Sequence, residues 1–170
     1  MKKILPSLLL AFALILFFAC EKDDICVNGD TPLLVFRFYD ATDTTETLDV
    51  PSLRVREVVL DEIVTTFTDR SNSRDSIGIP LRIVEGSTQY AFIRDSEDDE
   101  DTGEETGNID TLTITYQVRE AYVSKACGFV ANFDELTVTL NGTDEKWIQD
   151  FTIEQETVEN TNAAHVKIFH

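Results

Sequence analysis

Residues Leu112–Val118 set the tightest limit on what this chain folds into. Leu112, Ile114, Tyr116 and Val118 are apolar, and Thr113, Thr115 and Gln117 between them are polar. A period of two places the apolar groups on one side of an extended strand, whereas a helix stripe needs a period of 3.6. The alternation recurs in Leu34, Phe36 and Phe38 against Val35 and Arg37, and in Leu136, Val138 and Leu140 against Thr137 and Thr139. It returns in Phe151 and Ile153 against Thr152 and Glu154, and in Val166 and Ile168 about Lys167. Less regular strands are expected over Leu53–Leu60, Ile63–Phe67, Ile79–Val84 and Gln89–Arg94, with Val58–Phe67 the one stretch where a helix competes. Asn28-Gly29-Asp30, Ser71-Asn72-Ser73, Glu85-Gly86-Ser87 and Asn141-Gly142 supply turn chemistry between the runs. Strands with one polar face each bury the other face by pairing sheets. The expected fold is therefore an all-β, antiparallel, immunoglobulin-like β-sandwich of about seven to nine strands, ahead of a closed barrel.

The N-terminus has a different grammar. Lys2 and Lys3 precede an unbroken apolar run from Leu8 to Ala19. A helix crossing a bilayer needs about 20 apolar residues, so the run reads as a secretory signal peptide over residues 1–19. Phe17-Phe18-Ala19-Cys20 resembles a bacterial lipobox, with Phe17 where Leu is usual. In such signals the chain is cut before the cysteine, whose thiol and amine take palmitate-type acyl chains. Two or three chains anchor a protein stably where one does not. The competing reading is an ordinary signal peptide followed by an incidental cysteine. Glu21-Lys22-Asp23-Asp24 resembles the surface-export tag of Bacteroidota-type lipoproteins, and would equally serve as a solvated tether. The expected layout is a lipidated Cys20 with an acidic tether over residues 20–30, then one domain over residues 31–170.

With Cys20 lipidated, Cys26 and Cys127 are left. Two thiols in an oxidising compartment form a natural pair, and neither belongs to a CxxC motif or has a histidine near it in sequence. A structural disulfide is expected, with a metal-binding or nucleophilic Cys127 as the alternative.

Charge narrows the partners. The chain carries 14 Lys and Arg against 32 Asp and Glu, a net charge of -18, and removing Lys2 and Lys3 with the signal peptide takes -18 to -20. Such a surface opposes nucleic-acid binding, which rests on basic groups neutralising phosphates. It favours solubility and attracts cations or basic partners. Much of the acid is concentrated in Asp95–Glu105, inside an expected loop over residues 95–108, where eight of eleven residues are acidic. A block of this kind repels itself and is expected to be a disordered excursion between two strands. Asp99, Asp101 and Glu104 are weak candidates for Ca²⁺ ligands, although the EF-hand spacing is absent.

Catalytic chemistry is sparsely supplied. His165 is expected at the surface or a sheet edge, and His170 is the last residue of the sequence. Nucleophile-elbow, zincin, P-loop and dinucleotide-binding patterns are missing. Paired carboxylates suit glycoside hydrolysis, but sequence cannot set their separation. Tyr90, Tyr116 and Trp147 are expected in the core rather than on a ligand platform with Tyr39 and Tyr122. Asp43-Thr44-Thr45, Asp75-Ser76-Ile77 and Asp110-Thr111-Leu112 resemble a loose bacterial O-glycosylation pattern.

In order along the chain, Cys20-Glu21-Lys22-Asp23-Asp24-Ile25-Cys26, Thr31-Pro32-Leu33-Leu34-Val35, Tyr39-Asp40, the Asp110-Thr111-Leu112 strand and Cys127-Gly128-Phe129 resemble a family of small uncharacterised Bacteroidota-type lipoproteins defined by a domain of unknown function. The resemblance supplies no catalytic residue and no cofactor. The expectation is a non-enzymatic lipoprotein of the outer membrane, surface-exposed or periplasm-facing, that serves as an accessory or interaction module for an envelope protein. The runner-up is a lipoprotein that captures a cation, glycan or basic peptide, and a hydrolase comes third.

Overall fold

A computed structural model describes residues 25–26, 29–142 and 146–170. The signal segment 1–19, Cys20 and the Glu21–Asp24 tag lie outside the described residues, as does Thr143 after Asn141-Gly142. Among the described residues there are nine strands and no helix: β1 (Leu34–Tyr39), β2 (Arg54–Glu57), β3 (Glu62–Ile63), β4 (Ser76–Ile79), β5 (Ser87–Arg94), β6 (Asn108–Ser124), β7 (Gly128–Asn141), β8 (Asp150–Ile153) and β9 (Val166–Phe169). The chain divides into a large unit, Asp30–Ala121 with Val130–His170, and a small unit, the described residues up to Gly29 with Tyr122–Phe129.

In the large unit two sheets form the all-β sandwich. One has strand order β4-β1-β9-β8, the other β3-β2-β5-β6-β7. Alternation builds the interior between them. Leu34, Phe36 and Phe38 from β1 and Val166 and Ile168 from β9 join Tyr90 and Phe92 from β5 and Leu112 and Ile114 from β6 in one buried cluster. Phe36 meets Phe92 edge-on with ring centroids 5.2 Å apart. Trp147, also buried, donates its indole N–H to the Phe92 carbonyl at 3.1 Å. Tyr90, Tyr116 and Trp147 are thus core residues, as expected, whereas Tyr122 is exposed.

One pairing departs from the all-antiparallel expectation: β1 and β9 run parallel, Phe36 opposite Val166 and Phe38 opposite Ile168. Parallel partners need a long connection, and nearly the whole domain separates these two strands. Alternation also stops short of the boundaries read from sequence. The fourth strand lies over Ser76–Ile79 rather than Ile79–Val84, because Pro80 lacks the N–H to continue a ladder. Of Ile63–Phe67 only Ile63 is in a strand. On β7, Phe133 and Leu136 are both buried although three residues apart. The intervening Asp134 and Glu135, the latter at φ 54°, absorb the odd count as a bulge does.

His165 overturns the surface expectation, for it is buried, and His170 is buried as well. His165 Nδ1 accepts the Val35 N–H at 3.1 Å, so this ring is neutral, since a protonated Nδ1 would face a donor. Burial lowers the pKa of both imidazoles. The unfolded chain therefore binds protons more readily, with an ordinary value of about 6.5. Their contribution to stability is complete above that value and is lost as pH falls below it toward the lowered folded values. Urea midpoints measured at pH 7.5, 6.5 and 5.5 should decline across the series, and His165→Asn, whose side-chain oxygen can take the Nδ1 role, should flatten part of the decline. Buried Asp110 has a raised pKa from burial. Its contribution has the opposite sign: it is complete below the ordinary carboxylate value and is lost as pH rises through the raised folded one.

In the small unit Cys26 and Cys127 are disulfide-bonded, with Cα atoms 4.8 Å apart. Cys127 ends the turn between β6 and β7, and Gly128 follows at φ 73°, the left-handed residue that three-residue hairpin loops require. Tyr122 and Phe129 pack edge-on on the same hairpin end, 5.4 Å between centroids.

Candidate functional site

Alternation on β2 brings an acid inward. Leu53 and Val55 are buried, and Glu57 shares their parity, so its side chain enters the interior and is only 5% exposed. It pairs across the sheet with Tyr90 on one side and Glu62 on the other. Glu57 Oε2 accepts the Leu60 N–H, closing the turn that leads to β3. Oε1 is buried and has no hydrogen-bond partner among the described residues. A buried carboxylate oxygen left in this state costs free energy until a donor reaches it.

Glu57 is one of the residues that line a half-open cleft of about 280 Å³. Leu60, Glu62, Ile63 and Val64 from the β2–β3 turn and β3 line one side, and Pro80, Leu81 and Arg82 from the segment after β4 line another, with Tyr90 beside Glu57. The Pro80–Arg82 wall is fastened to the sheet by three tyrosine and threonine contacts. Tyr90 donates its hydroxyl to the Pro80 carbonyl. Tyr116 donates to the Arg82 carbonyl at 2.8 Å, and Thr88 Oγ1 accepts the Arg82 N–H at 3.2 Å. Burial, reinforced by the negative charge of Glu57, raises the Tyr90 pKa, so the phenol stays protonated and keeps its hold on Pro80.

The segments that line the cleft continue into exposed apolar residues where turns are normally polar. Val58, Val59 and Leu60 sit consecutively at the β2–β3 turn and are all exposed, Val59 at 64%. Ile83 and Val84 follow Arg82, with Val84 at 82%. Scattered exposed apolar residues are ordinary, but Leu60 and Ile63 stay exposed although they line the cleft, as suits a surface that binds something.

The acidic loop proves to be built rather than disordered. Two guanidinium groups offset its self-repulsion. Arg54 meets Asp69 at 2.7 Å and Glu105 at 3.1 Å, and Arg70 donates from Nη1 to Asp98 at 2.9 Å. Buried Ser96 donates to Glu105 at 3.1 Å, and Asp98 bridges to Glu105 across the loop. The three Ca²⁺ candidates sit on one tight turn. Asp99 Oδ1 accepts the N–H groups of Asp101 and Thr102 at 3.0 and 2.8 Å, and the Asp99 N–H donates to the Glu104 carbonyl at 2.8 Å. The bonds that Asp99 accepts from the Thr102 backbone and hydroxyl and from the Asp101 N–H hold its pKa down. Among the described residues no three His, Cys, Asp or Glu side chains are grouped so as to hold a metal ion.

Residues 52–170 match the profile of a family described as a family of unknown function (DUF6452), a span that includes every residue lining the cleft. No curated protein and no solved structure matches the chain.

Proposed function

We propose, taking as premise that the chain belongs to the DUF6452 family of unknown function, that it is a lipid-anchored cell-envelope protein whose folded part is a non-enzymatic interaction module. The observation that carries the interaction role is the cleft: its lining includes the buried Glu57 and the exposed Leu60 and Ile63, and it is continued in sequence by exposed Val58, Val59, Ile83 and Val84. Exposed apolar surface of this kind suits a protein partner better than a free solute. Both histidines are buried away from this site, among them His165 with its ring held on the β1 backbone, which supports a binding role over acid–base chemistry.

The anchoring half of the proposal rests on residues 17–24. Phe17-Phe18-Ala19-Cys20 carries the lipobox resemblance, and Glu21-Lys22-Asp23-Asp24 supports an outward-facing outer-membrane location of the kind found in Bacteroidota-type lipoproteins. Metabolic labelling with an alkyne analogue of palmitate tests it. The full chain should take up label and partition into detergent extracts of membranes, and Cys20→Ser should abolish both. Equal labelling of the serine variant would reject the anchor. Protease added to intact cells should then remove the domain if it faces outward. Co-purification of the full chain in mild detergent tests the interaction role, which predicts a partner retained at constant stoichiometry.

A further inference from the structure

We propose that the closed end of the β6–β7 hairpin docks on the phospholipid surface of the membrane that holds the chain, with Tyr122, Phe129 and Ile25 in the interfacial layer and Lys125 on lipid phosphates. This deepens the anchoring half of the reading above and rests on it. Three observations converge on a bilayer as the occupant.

The first is reach. Cys26 is bonded to Cys127, with Cα atoms 4.8 Å apart. Cys20 lies 26 − 20 = 6 residues earlier in the chain. A fully extended stretch of that length spans at most about 20 Å. An acyl anchor on Cys20 therefore keeps the hairpin end, through the disulfide, within that distance of the lipid. A contact made inside so short a tether acts at high effective concentration, so a small patch suffices.

The second is composition. Tight turns are normally polar. This one exposes Tyr122 and Phe129, Phe129 at 65%, and Ile25 beside the bonded Cys26 is 83% exposed. The two aromatic rings meet edge-on and so form one apolar body. A tyrosine, with an apolar ring and a polar hydroxyl, suits the layer between water and hydrocarbon. Ser124 Oγ accepts the Cys127 N–H at 3.1 Å, so the turn enters that layer with one of its backbone donors already satisfied.

The third is charge. No Asp or Glu occurs from Ala121 to Phe133, in a chain that carries 32 of them. Among the described residues of the small unit Lys125 is the one charged side chain, and it is exposed. A protein partner drawn by the acidity of this chain would be basic, and the hairpin end offers it no carboxylate. Lipid phosphates do match an acid-free end with a single ammonium, whose methylenes can lie along the apolar layer. Glu21, Asp23 and Asp24 outnumber Lys22 in the tether, so the surface that fits is zwitterionic rather than anionic.

The lipidated full chain, purified from membranes and reconstituted into phosphatidylcholine vesicles, tests this. Tyr122→Trp and Phe129→Trp each place a reporter at the hairpin end. In vesicles whose phosphatidylcholine carries brominated acyl chains, both reporters should lose emission, whereas wild type, reporting from buried Trp147, should not. Lys125→Glu added to either variant should reduce the quenching. Unquenched reporters on a chain that stays with the vesicles overturn the docking and leave the anchor standing. Equal quenching of Val84→Trp, an exposed position of the large unit, overturns the assignment to the hairpin end. Quenching unaltered by Lys125→Glu overturns the role of that lysine. A chain that takes up no palmitate label and leaves the vesicles overturns the anchor, and the docking with it. Hydrogen exchange provides a readout without a reporter. Backbone amides from Tyr122 to Phe129 should exchange more slowly in the natural chain on vesicles than in Cys20→Ser in solution, and equal rates overturn the docking.

Discussion

Replacing Cys26 and Cys127 together by serine should lower the unfolding free energy by up to about 4.7 kcal/mol, the chain-entropy value for a closed loop of roughly 100 residues. The two cysteines are bonded at a sequence separation of 101. Opening that loop frees the denatured chain far more than it disturbs the native contacts, so the effect is carried by the unfolded ensemble. The measurement is a urea titration of wild type and double variant, each with and without reductant. Wild type should lose stability on reduction, and the variant should match the reduced wild type and ignore the reductant. A wild-type midpoint indifferent to reductant would refute the constraint.

Phe36→Ala should cost about 3–5 kcal/mol, in the range for removing a buried aromatic ring from a tight core. Phe36 is fully buried on β1 and meets Phe92 of the opposing sheet edge-on, so the deletion leaves a void where the two sheets join. Domains of this size have a total stability of about 5–15 kcal/mol, so the variant gives up a large share. Val118→Ala is the internal control. Val118 shares sequence parity with Leu112, Ile114 and Tyr116, but it lies where β6 has become exposed. Its truncation should change stability by no more than about 0.5 kcal/mol. Comparable losses in the two variants would contradict the burial pattern.

The contrast between these two residues shows how far sequence reading reaches. Strict alternation located β1, β6, β7, β8 and β9, because a two-residue period has one structural meaning when one face is buried. It could not show where burial ends along β6, which depends on what lies opposite. Nor could it show that β1 and β9 pair in parallel, since pairing of distant segments leaves no local signature. Pro80 was a legible stop, yet the apolar run Ile79–Val84 invited a strand through it. The disulfide was legible from cysteine count and compartment, and the structure contains it.

The candidate site was hidden for a different reason. Its lining comes from three separate segments, and the acidic run at Asp95–Glu105 is the more conspicuous feature. That run is tied to Arg54 and Arg70. Among the described residues Glu57 is the acid with a buried oxygen that has no partner. One signal was available: Glu57 continues the inward series Leu53, Val55, and a carboxylate at an inward strand position needs an explanation. The His165 expectation failed similarly, because residues bordering β9 read as an edge, while β9 is paired on both sides, by β1 and β8.

The Cys26–Cys127 bond also gives a mechanical load a second way into the protein. In a chain anchored at Cys20, tension reaching Cys26 would have two covalent routes onward: along the backbone through Gly29 into β1, or across the sulfur–sulfur bond to Cys127 at the turn between β6 and β7. Reduction of the bond would leave the backbone route alone, and the whole pull would then fall on β1.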